Sequence, residues 1–132
     1  MPDGPEKLRV LIIDDSPPLI QTIGNLLRRQ GYQVDTAASG EEGVQKAREF
    51  TYHLVISDIR MPGIDGIETV KLIQQEVLKK GAKTGFMFLT GYSDETAFQK
   101  ALQLGVTDIM LKPFDLNGFL TAVKKNLEDA AK

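Results

Sequence analysis

The 132-residue chain has no cysteine, no tryptophan and a single histidine, His53. Without cysteine there can be no disulfide framework, thiolate metal site or cysteine nucleophile. One imidazole does not make a histidine metal cluster, and His53 reads as a strand-start residue. Long apolar runs are also absent, so no stretch is expected to cross a membrane as a helix, and Met1 to Lys7 lacks the apolar region of a secretion signal. The expected location is the cytoplasm. Charge of one sign is missing too: 16 basic residues face 18 acidic ones, for a net charge of -2, which gives no electrostatic reason for nucleic-acid or membrane binding. Neither G-x-G-x-x-G nor G-x-x-x-x-G-K-[ST] occurs, which disfavours dinucleotide and P-loop sites.

What is present is a repeated grammar of short apolar runs and amphipathic segments. Hydrophobic residues make up 42% of the chain, enough for one domain with a core of its own. Leu8 to Ile13 is branched and almost wholly apolar, as a strand buried on both faces of a parallel sheet would be. It ends at Asp14-Asp15. Ser16 with Pro17 and Pro18 then predicts a helix start, Ile20, Ile23 and Leu27 its inner face, and Gly31 its end. Tyr32 to Thr36 forms the next strand, followed by a helix from a Ser39/Glu42 capping box to about Phe50. Leu54-Val55-Ile56 leads to Asp58. Asp65 with Glu68 opens a third helix, with Ile67, Val70, Ile73 and Val77 facing inward. Phe86 to Leu89 ends at Thr90. Ser93 or Asp94 caps a fourth helix carrying Ala97, Ala101 and Leu104 and closed by Gly105. Ile109 to Leu111 ends at Lys112, and Asp115 caps a last helix whose Leu116, Phe119, Leu120, Val123 and Leu127 point inward.

Five such alternations predict an α/β fold: an open, doubly wound, five-stranded parallel sheet with helices on both faces. Residues 1–7 are expected to be a disordered extension, 8–129 the domain and 130–132 a tail. Ligands of such sheets bind beyond the carboxyl ends of the strands. Asp14, Asp15, Asp58, Thr90 and Lys112 all stand at those ends. Singly, each would more often be a cap, a solvated charge or a strand residue; it is their shared position that points to a site. Clustered carboxylates repel one another unless a cation neutralises them, and Mg2+ is the natural hard-cation choice. Lys112 and Thr90 add a point charge and a hydroxyl suited to phosphoryl oxygens.

These residues closely resemble the receiver domain of bacterial two-component response regulators. The resemblance runs from Leu8 to about Leu127. It rests on Asp14-Asp15, on Asp58 within Ser57-Asp58-Ile59-Arg60-Met61-Pro62-Gly63-Ile64-Asp65-Gly66, on Thr90-Gly91 and on Lys112-Pro113-Phe114. It implies a flavodoxin-like strand order of 2-1-3-4-5. It further implies that Asp58 accepts a phosphoryl group from a phosphohistidine, with Asp14, Asp15, Asp58 and the backbone carbonyl of Arg60 around Mg2+. Thr90 and Lys112, with the N–H groups of Ile59 and Gly91, would grip the phosphoryl oxygens, and the Lys112–Pro113 bond would be cis. Such a domain is no enzyme beyond its own phosphorylation and dephosphorylation. The implied partners are a sensor histidine kinase or phosphotransfer protein, an output partner or effector domain at the fourth and fifth helices, and a second copy in a homodimer.

Many receivers carry Tyr or Phe three residues before the lysine. Ile109 stands there, with neither ring nor hydroxyl, so the expected route of signalling is the loop from Thr90 to Asp94 and the helix after it. Tyr92 borders the expected path of attacking water. Two other functions compete. One is a receiver-like interaction module acting without phosphorylation. The other is a small-substrate phosphohydrolase, against which Asp58-Ile59-Arg60 replaces the expected Asp-x-Asp.

Overall fold

The computed structural model describes residues 7–91, 95–106 and 108–131. The expected extension before Lys7, the Ser93 or Asp94 cap and the Tyr92 position lie outside the described residues. The strands are β1 (Arg9–Ile13), β2 (Gln33–Ala37), β3 (Leu54–Asp58), β4 (Gly85–Thr90) and β5 (Asp108–Leu111). Between and after them run α1 (Pro17–Arg29), α2 (Gly40–Glu49), α3 (Gly66–Lys80), α4 (Glu95–Gln103) and α5 (Leu116–Ala131). The strands pair in parallel, as the alternation of apolar runs predicts, and in the order β2-β1-β3-β4-β5 that the resemblance implies.

Strand side chains alternate between two cores, because successive residues point to opposite faces. Leu11, Ile13, Val55, Phe86 and Phe88 pack with Val44 and Ala47 of α2, Val70 and Ile73 of α3 and Ala101 of α4. On the other face Val10, Ile12, Leu54, Ile56, Met87 and Leu89 pack with Ile23 and Leu27 of α1 and with Phe119, Val123 and Leu127 of α5. Each fully buried side chain of this size contributes about 1.5–3 kcal/mol. The near-continuous apolar strands therefore need helices on both sides.

Capping follows the sequence with two adjustments. Asp65 accepts from the Glu68 N–H at 2.9 Å and Asp115 from the Gly118 N–H at 2.8 Å, so both act as N-caps. Ser39 Oγ accepts from the Glu42 N–H at 3.1 Å, but the Glu42 carboxylate reaches back to the Ala38 N–H, one residue earlier than a reciprocal box requires. Ser16 occupies the N-cap position of α1 without a side-chain bond. Pro18 at the second helical position has no N–H to offer it. Leu116, expected to face inward, is 47% exposed. As the first residue of α5 it has helix on only one side.

Phe119 is fully buried and its ring lies 5.2 Å from that of Phe114. Phe119→Ala should lower unfolding stability by about 3–5 kcal/mol, measured by urea denaturation, with the denaturant dependence unchanged.

Candidate functional site

Parallel register brings distant residues to one edge. Ile13 pairs with Ser57, Asp58 with Leu89 and Thr90 with Leu111. One step beyond each pair, Asp14 falls beside Asp58, Thr90 follows the partner of Asp58, and Lys112 follows the partner of Thr90. The ladder is extended at this edge by the Asp14 N–H donating to Ala37 and the Lys112 N–H donating to Thr90 at 2.7 Å. Asp14, Asp58 and Thr90 are buried, whereas Asp15 is exposed.

Lys112 Nζ lies 2.8 Å from Asp14 Oδ2 and 3.2 Å from Asp58 Oδ2. One ammonium thus serves two carboxylates. Asp14 Oδ1 also accepts from the Ser16 N–H at 2.9 Å, which holds its plane. Burial pushes the Asp58 carboxyl above the usual carboxylate range, and Asp14 adds to this, while Lys112 opposes both. Burial pulls the Lys112 ammonium down, but its bonds to Asp14 and Asp58 outweigh that and hold it above its ordinary value.

Asp14, Asp15 and Asp58 each present an oxygen within 4.8 Å of the others. This all-oxygen donor set, in which Asp15 is the exposed member, fits a hard divalent cation. Of the residues expected at the site, the three aspartates and Lys112 are drawn together. Thr90 is placed at the adjacent strand end. Arg60 lies in the loop after Asp58 with its side chain exposed. A Cβ at Gly91 would meet open space, and the Lys112–Pro113 bond is cis.

Two residues at the site were not singled out from sequence. Ser57 Oγ donates to the Asp58 carbonyl at 2.9 Å, and the Gly66 N–H donates to the Ile59 carbonyl at 2.7 Å. Gly66 carried a signal: glycine is a poor choice for the first position of a helix already capped by Asp65.

A family model described as "Response regulator receiver domain" matches residues 10–124. The probable chemotaxis protein CheY of Rhizobium etli is 34% identical over 120 residues, covering 90% of this chain and 92% of that protein. The transcriptional regulatory protein ResD of Bacillus subtilis is 30% identical over 130 residues, covering 98% of this chain but 52% of its own length. Among solved structures, a CheY-like receiver domain protein from Methanospirillum hungatei superposes with a TM-score of 0.88 at 25% identity, covering 96% of this chain and 98% of that one.

Because its pKa is raised in the folded state, ionising Asp58 works against folding. The associated stability is complete below the ordinary value of 3.8 and is lost as pH rises through the folded-state value. Asp58→Asn, which cannot ionise, should therefore melt higher than the wild type at pH 7 without metal. Melting curves from pH 7 down to below 3.8 should show the difference shrinking to nothing.

Proposed function

The chain belongs to the response regulator receiver domain family, and from that premise we propose that Asp58 is its phosphoryl acceptor. The observation that carries the proposal is the grouping of Asp14, Asp15 and Asp58 within 4.8 Å, with the Lys112 ammonium bonded to two of them. Asp58 is the carboxylate that both ends a central strand and contacts Lys112. Its oxygen attacks the phosphorus of a phosphohistidine on a kinase or phosphotransfer protein. The P–N bond breaks, the imidazole departs and an acyl phosphate remains on Asp58. No general base is required, since an ionised carboxylate is already a nucleophile.

Asp14, Asp15, Asp58 and the carbonyl of Arg60 would hold Mg2+, which when bound supplies positive charge to the phosphoryl oxygens in flight. Lys112, bonded in this structure to Asp14 and Asp58, is positioned to follow the charge to a phosphoryl oxygen. Thr90 contributes a hydroxyl from the neighbouring strand end, and the backbone N–H groups of Ile59 and Gly91 complete the donor set. Lys112 also keeps Asp14 and Asp58 together in the resting state, so little reorganisation is needed at transfer. The chain acts in the cytoplasm as a signalling module whose only catalysis is on itself. Among the described residues no helix is long and apolar enough to cross a membrane.

Output runs through α4. Ile109 packs against the same buried cluster as Ala97 and Phe98 of α4 and Leu104 just beyond it, so β5 and α4 rest on one packing surface. Movement of Thr90 toward a phosphoryl group is transmitted through that surface.

Incubation with acetyl phosphate and Mg2+ should give one phosphoryl adduct by intact mass, and Asp58→Asn should give none. Survival of the adduct in that variant would defeat the assignment. Amide exchange with a beryllofluoride mimic should change across residues 95–105; unchanged rates there would remove α4 from the output route.

A further inference from the structure

Gly66 stands first in α3, directly after the Asp65 cap. Its φ is not positive, so no backbone conformation demands glycine there. Space does. A Cβ built on Gly66 would fall 1.9 Å from the carbonyl oxygen of Asp58, 2.8 Å from its carbonyl carbon and 2.8 Å from Ile59 Cα. All three are main-chain atoms of the peptide that follows the acceptor side chain. Main chain at the end of a central strand cannot rotate aside as a side chain does.

The contact is also bonded. The Gly66 N–H donates to the Ile59 carbonyl at 2.7 Å, and Ser57 Oγ holds the Asp58 carbonyl from its own strand at 2.9 Å. The first turn of α3 therefore lies directly on the Asp58–Ile59 peptide. Gly40 provides a contrast. A Cβ there would be almost as tight, 2.1 Å from Thr69 Oγ1 and 2.6 Å from Ile64 Cγ1, but it would meet side chains.

We infer that Gly66 is a positioning residue for phosphoryl transfer: its missing side chain lets α3 seat the Asp58–Ile59 peptide and so sets where the Asp58 carboxylate stands among Asp14, Asp15 and Lys112. This rests on the reading of Asp58 as acceptor. A methyl group at Gly66 must open the contact from 1.9 Å to at least 3.0 Å, a displacement of the peptide or the helix larger than 1 Å. Misplacement on the order of 1 Å is enough for a rate loss of about 10²-fold. Loss of support behind metal ligands typically weakens metal binding by about 10–100-fold.

The test compares Gly66→Ala and Gly40→Ala with the wild type, each well below its own melting midpoint. Mg2+ affinity is measured by calorimetry, and the rate of adduct formation from acetyl phosphate is measured at saturating Mg2+. Gly66→Ala should bind Mg2+ at least about 10-fold more weakly and react about 10²-fold more slowly. Gly40→Ala should lose melting temperature while keeping both properties. A folded Gly66→Ala with wild-type affinity and rate would overturn the inference.

Should Gly66→Ala not fold, the wild-type chain still decides. Its Gly66 amide resonance should shift during an Mg2+ titration with the same midpoint as that of Ile59. A Gly66 amide that stays fixed while Ile59 saturates would overturn the inference. A wild-type chain that neither binds Mg2+ nor forms an adduct would instead sink the acceptor reading, and the inference with it.

Discussion

The ammonium of Lys112, shared between Asp14 and Asp58, is the interaction on which the site depends. The three residues are separated by up to 98 positions in sequence, and no local rule connects them. Two buried carboxylates on neighbouring strands would otherwise repel each other in a medium of low polarity. Lys112 resolves this from β5, two strands away from β3, by extending its long side chain across the end of β4. Removing Lys112 would leave two buried carboxylates uncompensated, which is far more damaging than the ion pairs are stabilising. The grouped carboxylates still outnumber the one ammonium that contacts them, an imbalance that a divalent cation is suited to relieve.

The loop after Asp58 is held from two sides. From α2, the Glu41 carboxylate accepts from the Ile64 N–H at 3.3 Å. Gly63 adopts φ 78° beside that carboxylate, a conformation that side chains rarely take. From α3, Gly66 rests on the Asp58 peptide. Packing between helices and sheet therefore reaches the grouped aspartates through main chain, and the carbonyl of Arg60 lies on the segment so restrained.

Much of this was legible in the residues. Short apolar runs identified all five strands as a buried parallel sheet, and the receiver-domain resemblance supplied their order. Asp65 and Asp115 declared themselves as caps. The failures were local and have causes. Ser16 holds its N-cap position without a side-chain bond, Pro18 removing one of the two usual donors, Glu42 bonded one residue earlier than a box predicts, and Leu116 fell at a helix end where period no longer implies burial. Gly66 and Ser57 stood within the motif around Asp58 but drew no role, because their contacts are with main chain, which side-chain chemistry does not advertise.

The sequence by itself determined the alternation of strand and helix, the acidic residues at the strand ends and the family that they mark. Periodicity and residue chemistry are properties of short segments, and they survive without knowledge of contacts. Only the tertiary structure decided that Lys112 contacts both Asp14 and Asp58, that three carboxylates come within 4.8 Å and that Gly66 must be bare. These are distances between atoms far apart in the chain, and register, crossover and close packing set them together.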